Sequence, residues 1–163
     1  MSNGRFVWHD LMTPDPAAAE KFYGELFGWT VREMDMGESF GKYRMLFVGE
    51  QSIGGIVHLE KEGVPPHWIG YATVDDVDAA VERATANGGT VHLPGTDIPE
   101  VGRFAVVSDP QGAVISPFSS AGEGMPEDEE MPPHGAFCWD ELLALDPDGA
   151  KAFYGELFGW TSQ

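Results

Sequence analysis

The chain is expected to fold as an α+β protein built from two βαβββ units, and three observations predict it. A strand, a helix and three further strands can be read across residues 5–60, and the same order returns across residues 66–118. The stretch FYGELFGWT at Phe22–Thr30 recurs letter for letter at Phe153–Thr161. Between the second unit and that recurrence, residues 119–135 include the acidic, Pro- and Gly-rich EGMPEDEEMPPHG, which has nothing to pack and reads as an exposed linker. Residues 136–163 are then expected to repeat an opening strand and helix, a βα fragment of a second module.

The first strand, RFVWHDLM, alternates Phe6, Trp8, Asp10 and Met12 on one face with Val7, His9 and Leu11 on the other. In the helix that follows, Asp15 is placed as N-cap, Pro16 as first residue and Gly28 as left-handed stop, with Ala19, Phe22, Tyr23, Leu26 and Phe27 at helical spacing. WTVREMD, KYRMLFVG and SIGGIVHLE have strand character and are separated by turn-rich pieces such as MGES and GEQ. In the second unit HWIGYATV is a strand, Asp75–Ala86 a helix ended by Asn87-Gly88-Gly89, and TVHLP, RFAVVSD and AVISPF are strands, with a tight turn at Asp109-Pro110-Gln111-Gly112.

The recurrence is longer than its identical core. GAFCWDELLALDPDGAKAFYGELFGWT lines up with GRFVWHDLMTPDPAAAEKFYGELFGWT at a constant shift of 131 residues, so that Trp139 matches Trp8 and Asp146-Pro147 matches Asp15-Pro16. The apolar stripe Phe153, Tyr154, Leu157 and Phe158 should cover a sheet. It is expected to dock on the first module of the same or a neighbouring chain, favouring a dimer or pairing with a second module, or else to stay poorly ordered.

Composition removes several function classes. With 27 acidic and 9 basic residues the formal net charge is −18, which repels phosphate backbones and anionic lipid, so neither nucleic acid nor membrane is an expected partner. No apolar run approaches the ~20 residues that span a bilayer, and MSNGRFVWHD has no signal-peptide pattern, so a cytoplasmic setting is expected. Cys138 is the single cysteine; it allows no internal disulfide or thiolate cluster and is expected to be a core thiol. Gly54-Gly55 and Gly88-Gly89 lack the helix and lysine of a phosphate loop, and there is no Gly-x-Ser-x-Gly elbow.

The openings WHDLMTPDPAAAEKFYGELFGW and YATVDDVDAAVERATANGGTV, with the closing FAVVSDPQGAVISPF, together resemble the vicinal-oxygen-chelate superfamily of glyoxalase I, bleomycin-resistance proteins and extradiol dioxygenases. Within it the chain looks most like tandem-module actinobacterial proteins with names such as glyoxalase-like or hydroxylase. The resemblance implies a cupped mixed sheet made by the two units, and a second module about 130 residues on. It also implies a tandem protein cut short after that module's first strand and helix.

The resemblance implies three metal-ligand positions, which fall on Trp8, Ile69 and Ser116, none of them a ligand type. No cofactor is therefore expected; a divalent transition metal is the alternative, with His58 and His67 as fallback ligands. His9 points to the opposite face from Trp8. His67 shares the parity of Ile69, about 6.6 Å nearer the strand start. His9, His58, His67 and His92 are each expected in surface or hydrogen-bonding roles, and His134, in the linker, is expected to be solvated. The expected concave face keeps Trp8, Asp10, Ile69 and Tyr71, where a carboxylate facing a phenol in an apolar cup could orient a small organic ligand or act as a base, or bond each other within the core. The expected function is a metal-free small-molecule binding module. The alternatives are a lyase or dioxygenase with relocated metal ligands, an acid–base enzyme using Asp10 and Tyr71, and a purely structural pairing module.

Overall fold

The computed structural model describes residues 3–37, 41–61, 63–122 and 132–162. The acidic run expected as linker therefore falls largely outside the described residues, as does part of the MGES turn. Among the described residues eight strands and three helices are formed, in the order β1 (Phe6–Thr13), α1 (Pro16–Phe27), β2 (Thr30–Asp35), β3 (Lys42–Val48), β4 (Gln51–His58), β5 (His67–Thr73), α2 (Val77–Ala86), β6 (Thr90–Ile98), β7 (Gly102–Ser108), β8 (Val114–Ser120) and α3 (Pro147–Phe158). The α+β class and the twice-repeated βαβββ order hold. The chain divides into a first unit, Trp8–Ile69 with Asp128–Asp140, and a second, Met1–Val7 with Gly70–Glu127 and Glu141–Gln163.

In the first unit the strands run β2-β3-β4-β1, with β1 parallel to β4 and the other pairs antiparallel. The caps of α1 act as the sequence suggests: the Asp15 side chain accepts from the Ala18 amide, Pro16 opens the helix and Gly28 closes it at φ 72°. Its Ala19 and Tyr23 pack on a core of Leu11, Trp29, Leu46, Ile53 and Ile56. Because Leu11 faces α1, strand alternation turns Trp8, Asp10 and Met12 to the face away from it.

In the second unit the order is β5-β8-β7-β6, with β5 parallel to β8. Helix α2 begins at Val77, two residues later than its sequence pattern suggests, because the Asp76 carboxylate accepts from the Ala79 amide and so acts as the N-cap. Helix α3 packs on this unit, where Ala150, Phe153, Tyr154, Leu157 and Phe158 join Val77, Ala80 and Ala84 of α2 in the core. The turn Asp109–Gly112 fastens it: one Asp109 oxygen accepts from the Gln111 and Ala113 amides and the other from the Tyr154 hydroxyl, while Gln111 and the Asp146 backbone exchange two hydrogen bonds.

The strand expected around Phe137–Leu142 is not formed. A strand exists by pairing, and among the described residues no ladder partner takes this one up; Phe137 is held by its ring instead, stacked on His9 at 4.0 Å. Cys138, expected in the core, is accordingly exposed.

Burial first, and the neighbouring Asp109 charge second, push the Tyr154 phenol well above its ordinary range. A raised folded-state value favours the neutral phenol, so this contribution is complete below the ordinary tyrosine range near pH ~10 and is lost as pH climbs above it. The stability difference between the wild type and Tyr154→Phe, measured by denaturant unfolding, is expected to shrink between about pH 9 and pH 11. A constant difference across that window would show that Tyr154 does not titrate with unfolding.

Candidate functional site

Three side chains of the first unit converge on the β1 face that points away from α1. Asp10 pairs with Gly55 of β4, and Gly55 pairs with Met45 of β3. Tyr43 lies two residues from Met45 and so on the same face. Its hydroxyl donates to Asp10 Oδ1 across the intervening strand. The Trp8 indole N–H is shared between Tyr43 Oη at 2.8 Å and Asp10 Oδ1 at 3.2 Å. Asp10 is only 5% exposed. One buried carboxylate oxygen thus receives a phenol and an indole donor, a pattern suited to an acceptor-only carboxylate.

Gly55 makes this possible. A methyl group there would run into the Tyr43 hydroxyl and ring and lie 2.7 Å from Asp10 Oδ1, so the missing side chain is the channel through which the phenol reaches the acid. Tyr43 was not among the residues singled out from the sequence. The signal that could have found it is Gly54-Gly55 inside a strand, a mark of close approach by another group.

The other sequence-selected residues are placed as follows. Ile69 is buried and apolar at the end of the first unit. Tyr71, in the second unit, pairs in register with Ser116, and its ring lies 5.9 Å from that of Phe104. Ser116 is fully buried and donates to the Ala105 carbonyl at 2.7 Å. The pairing register sets Ala105 opposite Pro117, which has no N–H to give, so the hydroxyl replaces a missing ladder bond. His9 is buried, with Nε2 2.7 Å from Asp140 Oδ1. His58 and His92 are exposed, the latter 3.0 Å from Ser108 Oγ, and His67 Nδ1 lies 2.9 Å from the Pro65 carbonyl.

This donor set does not fit a divalent ion. At the three positions implied for ligands, Trp8 offers an N–H already shared between two acceptors, Ile69 a hydrocarbon and Ser116 a hydroxyl already used in the sheet. Among the described residues no cluster of three His, Cys, Asp or Glu side chains could hold a metal. A crevice of about 590 Å³ in the second unit, bordered by Asp75, Asp76, Arg83 and Glu156, is lined by none of the candidate ligand-binding, catalytic or metal-ligand residues. No helix among the described residues is long and apolar enough to cross a membrane.

Comparison with known proteins agrees with the fold. The chain is 37% identical over 158 residues to CFP32 of Mycobacterium bovis, a protein provisionally named a glyoxylase, covering 94% of this chain and 59% of that protein. It is 33% identical over 171 residues to the anthracycline biosynthesis protein DauV of Streptomyces sp. strain C5, covering 96% and 61%. The chain therefore spans about 60% of the length of these curated relatives. Among solved structures, a methylmalonyl-CoA epimerase variant of Streptomyces coelicolor with bound 2-nitronate-propionyl-CoA superposes with TM-score 0.52 at 18% identity, covering 77% of this chain and all of that one. The hypothetical protein BH1468 of Bacillus halodurans gives 0.52 at 12% identity, covering 76% and 99%. Residues 5–116 match the family model, and the chain belongs to the Glyoxalase/Bleomycin resistance protein/Dioxygenase superfamily.

Proposed function

We propose that this module binds a small organic molecule on the Trp8–Asp10 face of β1, with the Asp10 carboxylate as polar anchor and no metal involved. The single observation that supports the reading is the buried Asp10 oxygen that gathers the Tyr43 and Trp8 donors over Gly55. A carboxylate bordered by a phenol and an indole is the mix of apolar surface and few fixed polar groups that small-molecule sites use. Two relatives are named for anthracycline biosynthesis, and a flat aromatic molecule carrying hydroxyl groups matches these three side chains in kind: rings to lie against, and an acceptor for a hydroxyl.

Native mass spectrometry of the purified chain, followed by Trp fluorescence titration with an anthracycline as probe, tests this. Asp10→Asn is expected to weaken binding about tenfold or more, the cost of losing one charge-assisted hydrogen bond. His58→Ala is expected to leave binding unchanged. Equal affinity of Asp10→Asn and wild type would remove Asp10 as the anchor; loss of binding in His58→Ala would instead favour relocated ligands around His58.

A further inference from the structure

The two copies of the repeated segment make reciprocal contacts, and the shift of 131 residues reveals it. Trp29 donates to the carbonyl of Gly135, while Trp160 donates to the carbonyl of Gly4, each at 2.7 Å. Gly135 is the counterpart of Gly4, and Trp160 of Trp29. The rings follow suit: Trp29 lies 5.6 Å from Phe137, and Trp160 lies 5.4 Å from Phe6, its counterpart. His9 and Asp140, which bond each other, are counterparts themselves. Residue i meeting j′ while j meets i′, with one position meeting its own equivalent, is the contact pattern of an isologous pair.

One contact lacks its reciprocal. Helix α3 seats Phe153, Leu157 and Phe158, each 3% exposed, in a core shared with Val77, Ala80 and Ala84 of α2. The same three positions of α1 are Phe22, Leu26 and Phe27, 58%, 56% and 50% exposed. The two stripes match in every one of these residues, in helices with the same Asp-Pro start and Gly stop. We infer that the Phe22–Leu26–Phe27 face of α1 is the seat for a helix of the α2 type, with small residues on the contact face, belonging to a second module. The α2 of this chain is already covered by α3, so among its described residues another copy of this chain has no free helix of that kind to offer. The curated relatives, of whose length this chain spans about 60%, are long enough to supply one.

The identity of Phe22–Thr30 and Phe153–Thr161 provides the test, because residues 1–161 can be continued by residues 31–121 without a foreign junction. In a Cys138→Ser background, alkylation of Leu26→Cys is expected to be fast in the 163-residue chain and about tenfold or more slower in the extended chain, whereas Leu157→Cys is expected to be slow in both. An equally fast Leu26→Cys in an extended chain that melts cooperatively would overturn the proposal. Protection already present in the 163-residue chain, rising with concentration, would also overturn it by assigning the face to self-association.

If the extended chain does not fold, Leu157→Asp in the 163-residue chain decides the matter, since it unseats α3 and bares α2. Sedimentation is then expected to show a dimer that Leu26→Asp returns to monomer. A monomer throughout, or a dimer indifferent to Leu26→Asp, would refute the seat.

Discussion

Gly55→Ala is expected to destabilise the protein by about 2 kcal/mol and to abolish the ligand binding proposed at Asp10, although alanine is the better residue for most strand interiors. Reduced freedom in the unfolded chain would by itself favour alanine by roughly 0.5–1 kcal/mol. The added methyl, however, occupies the space of the Tyr43 hydroxyl and crowds Asp10 Oδ1. Either the phenol swings away, leaving a buried carboxylate short of a donor, or β4 moves; each costs more than the entropy returns. The neighbouring glycine separates these outcomes. A methyl on Gly54 meets the His9 carbonyl, part of the backbone of the parallel partner strand, which cannot rotate aside. Gly54→Ala is therefore expected to cost about 3 kcal/mol or more. In a Tyr43→Leu background, Gly55→Ala should become cheaper by about 1–2 kcal/mol and Gly54→Ala should not change. Urea unfolding of the wild type, Tyr43→Leu and each glycine variant in both backgrounds measures this; equal costs of Gly55→Ala in both backgrounds would show that the phenol is not what the glycine accommodates.

The same two glycines mark how far the sequence could be read. Local chemistry was largely legible: Asp15 and Asp146 each cap a helix with their own carboxylate, and Gly28 and Gly159 close α1 and α3 with left-handed backbones, whereas the Asp76 cap lay inside the helix that the sequence pattern suggested. Alternation placed Trp8 and Asp10 on one face of β1 and His9 on the other. The phenol that reaches Asp10 was not legible, because Tyr43 arrives from β3 across β4, and register between strands depends on pairings that a single sequence does not state. Ser116 was legible as a lost ligand type and illegible as a substitute for the absent N–H of Pro117, for the same reason. At Phe137–Leu142 the alternation pattern matched that of β1, yet no strand forms, since pattern without a pairing partner does not make a ladder.

Phe153→Ala is expected to cost about 3–5 kcal/mol, and Phe22→Ala, the same change in the same nine-residue sequence, about 0.5 kcal/mol or less. The Asp-Pro start, the Gly stop and the eight residues that follow each ring are shared, while PAAAEK precedes Phe22 and PDGAKA precedes Phe153, so most of the difference reports what each ring packs against. Phe153 is 3% exposed in the core with α2, whereas Phe22 is 58% exposed. Truncating the first leaves a cavity among close-packed side chains; truncating the second removes area that water already touches. The loss at Phe153 has a ceiling set by how α3 is fastened. If α3 can leave its seat while β5–β8 stay folded, the measured cost stops at the docking free energy, and hydrogen exchange will show α3 amides exposed in an otherwise protected unit. If α3 melts with the sheet, the whole cost appears in the global transition. The bonds from Tyr154 to Asp109, from Gln111 to Asp146 and from Trp160 to Gly4 tie both ends of α3 to that unit, so a docking free energy large enough to register most of the cost of Phe153→Ala is expected. Equal costs at Phe22 and Phe153 would mean that the seat on α2 does not exist in solution. The reciprocal seat inferred for α1 would fall with it.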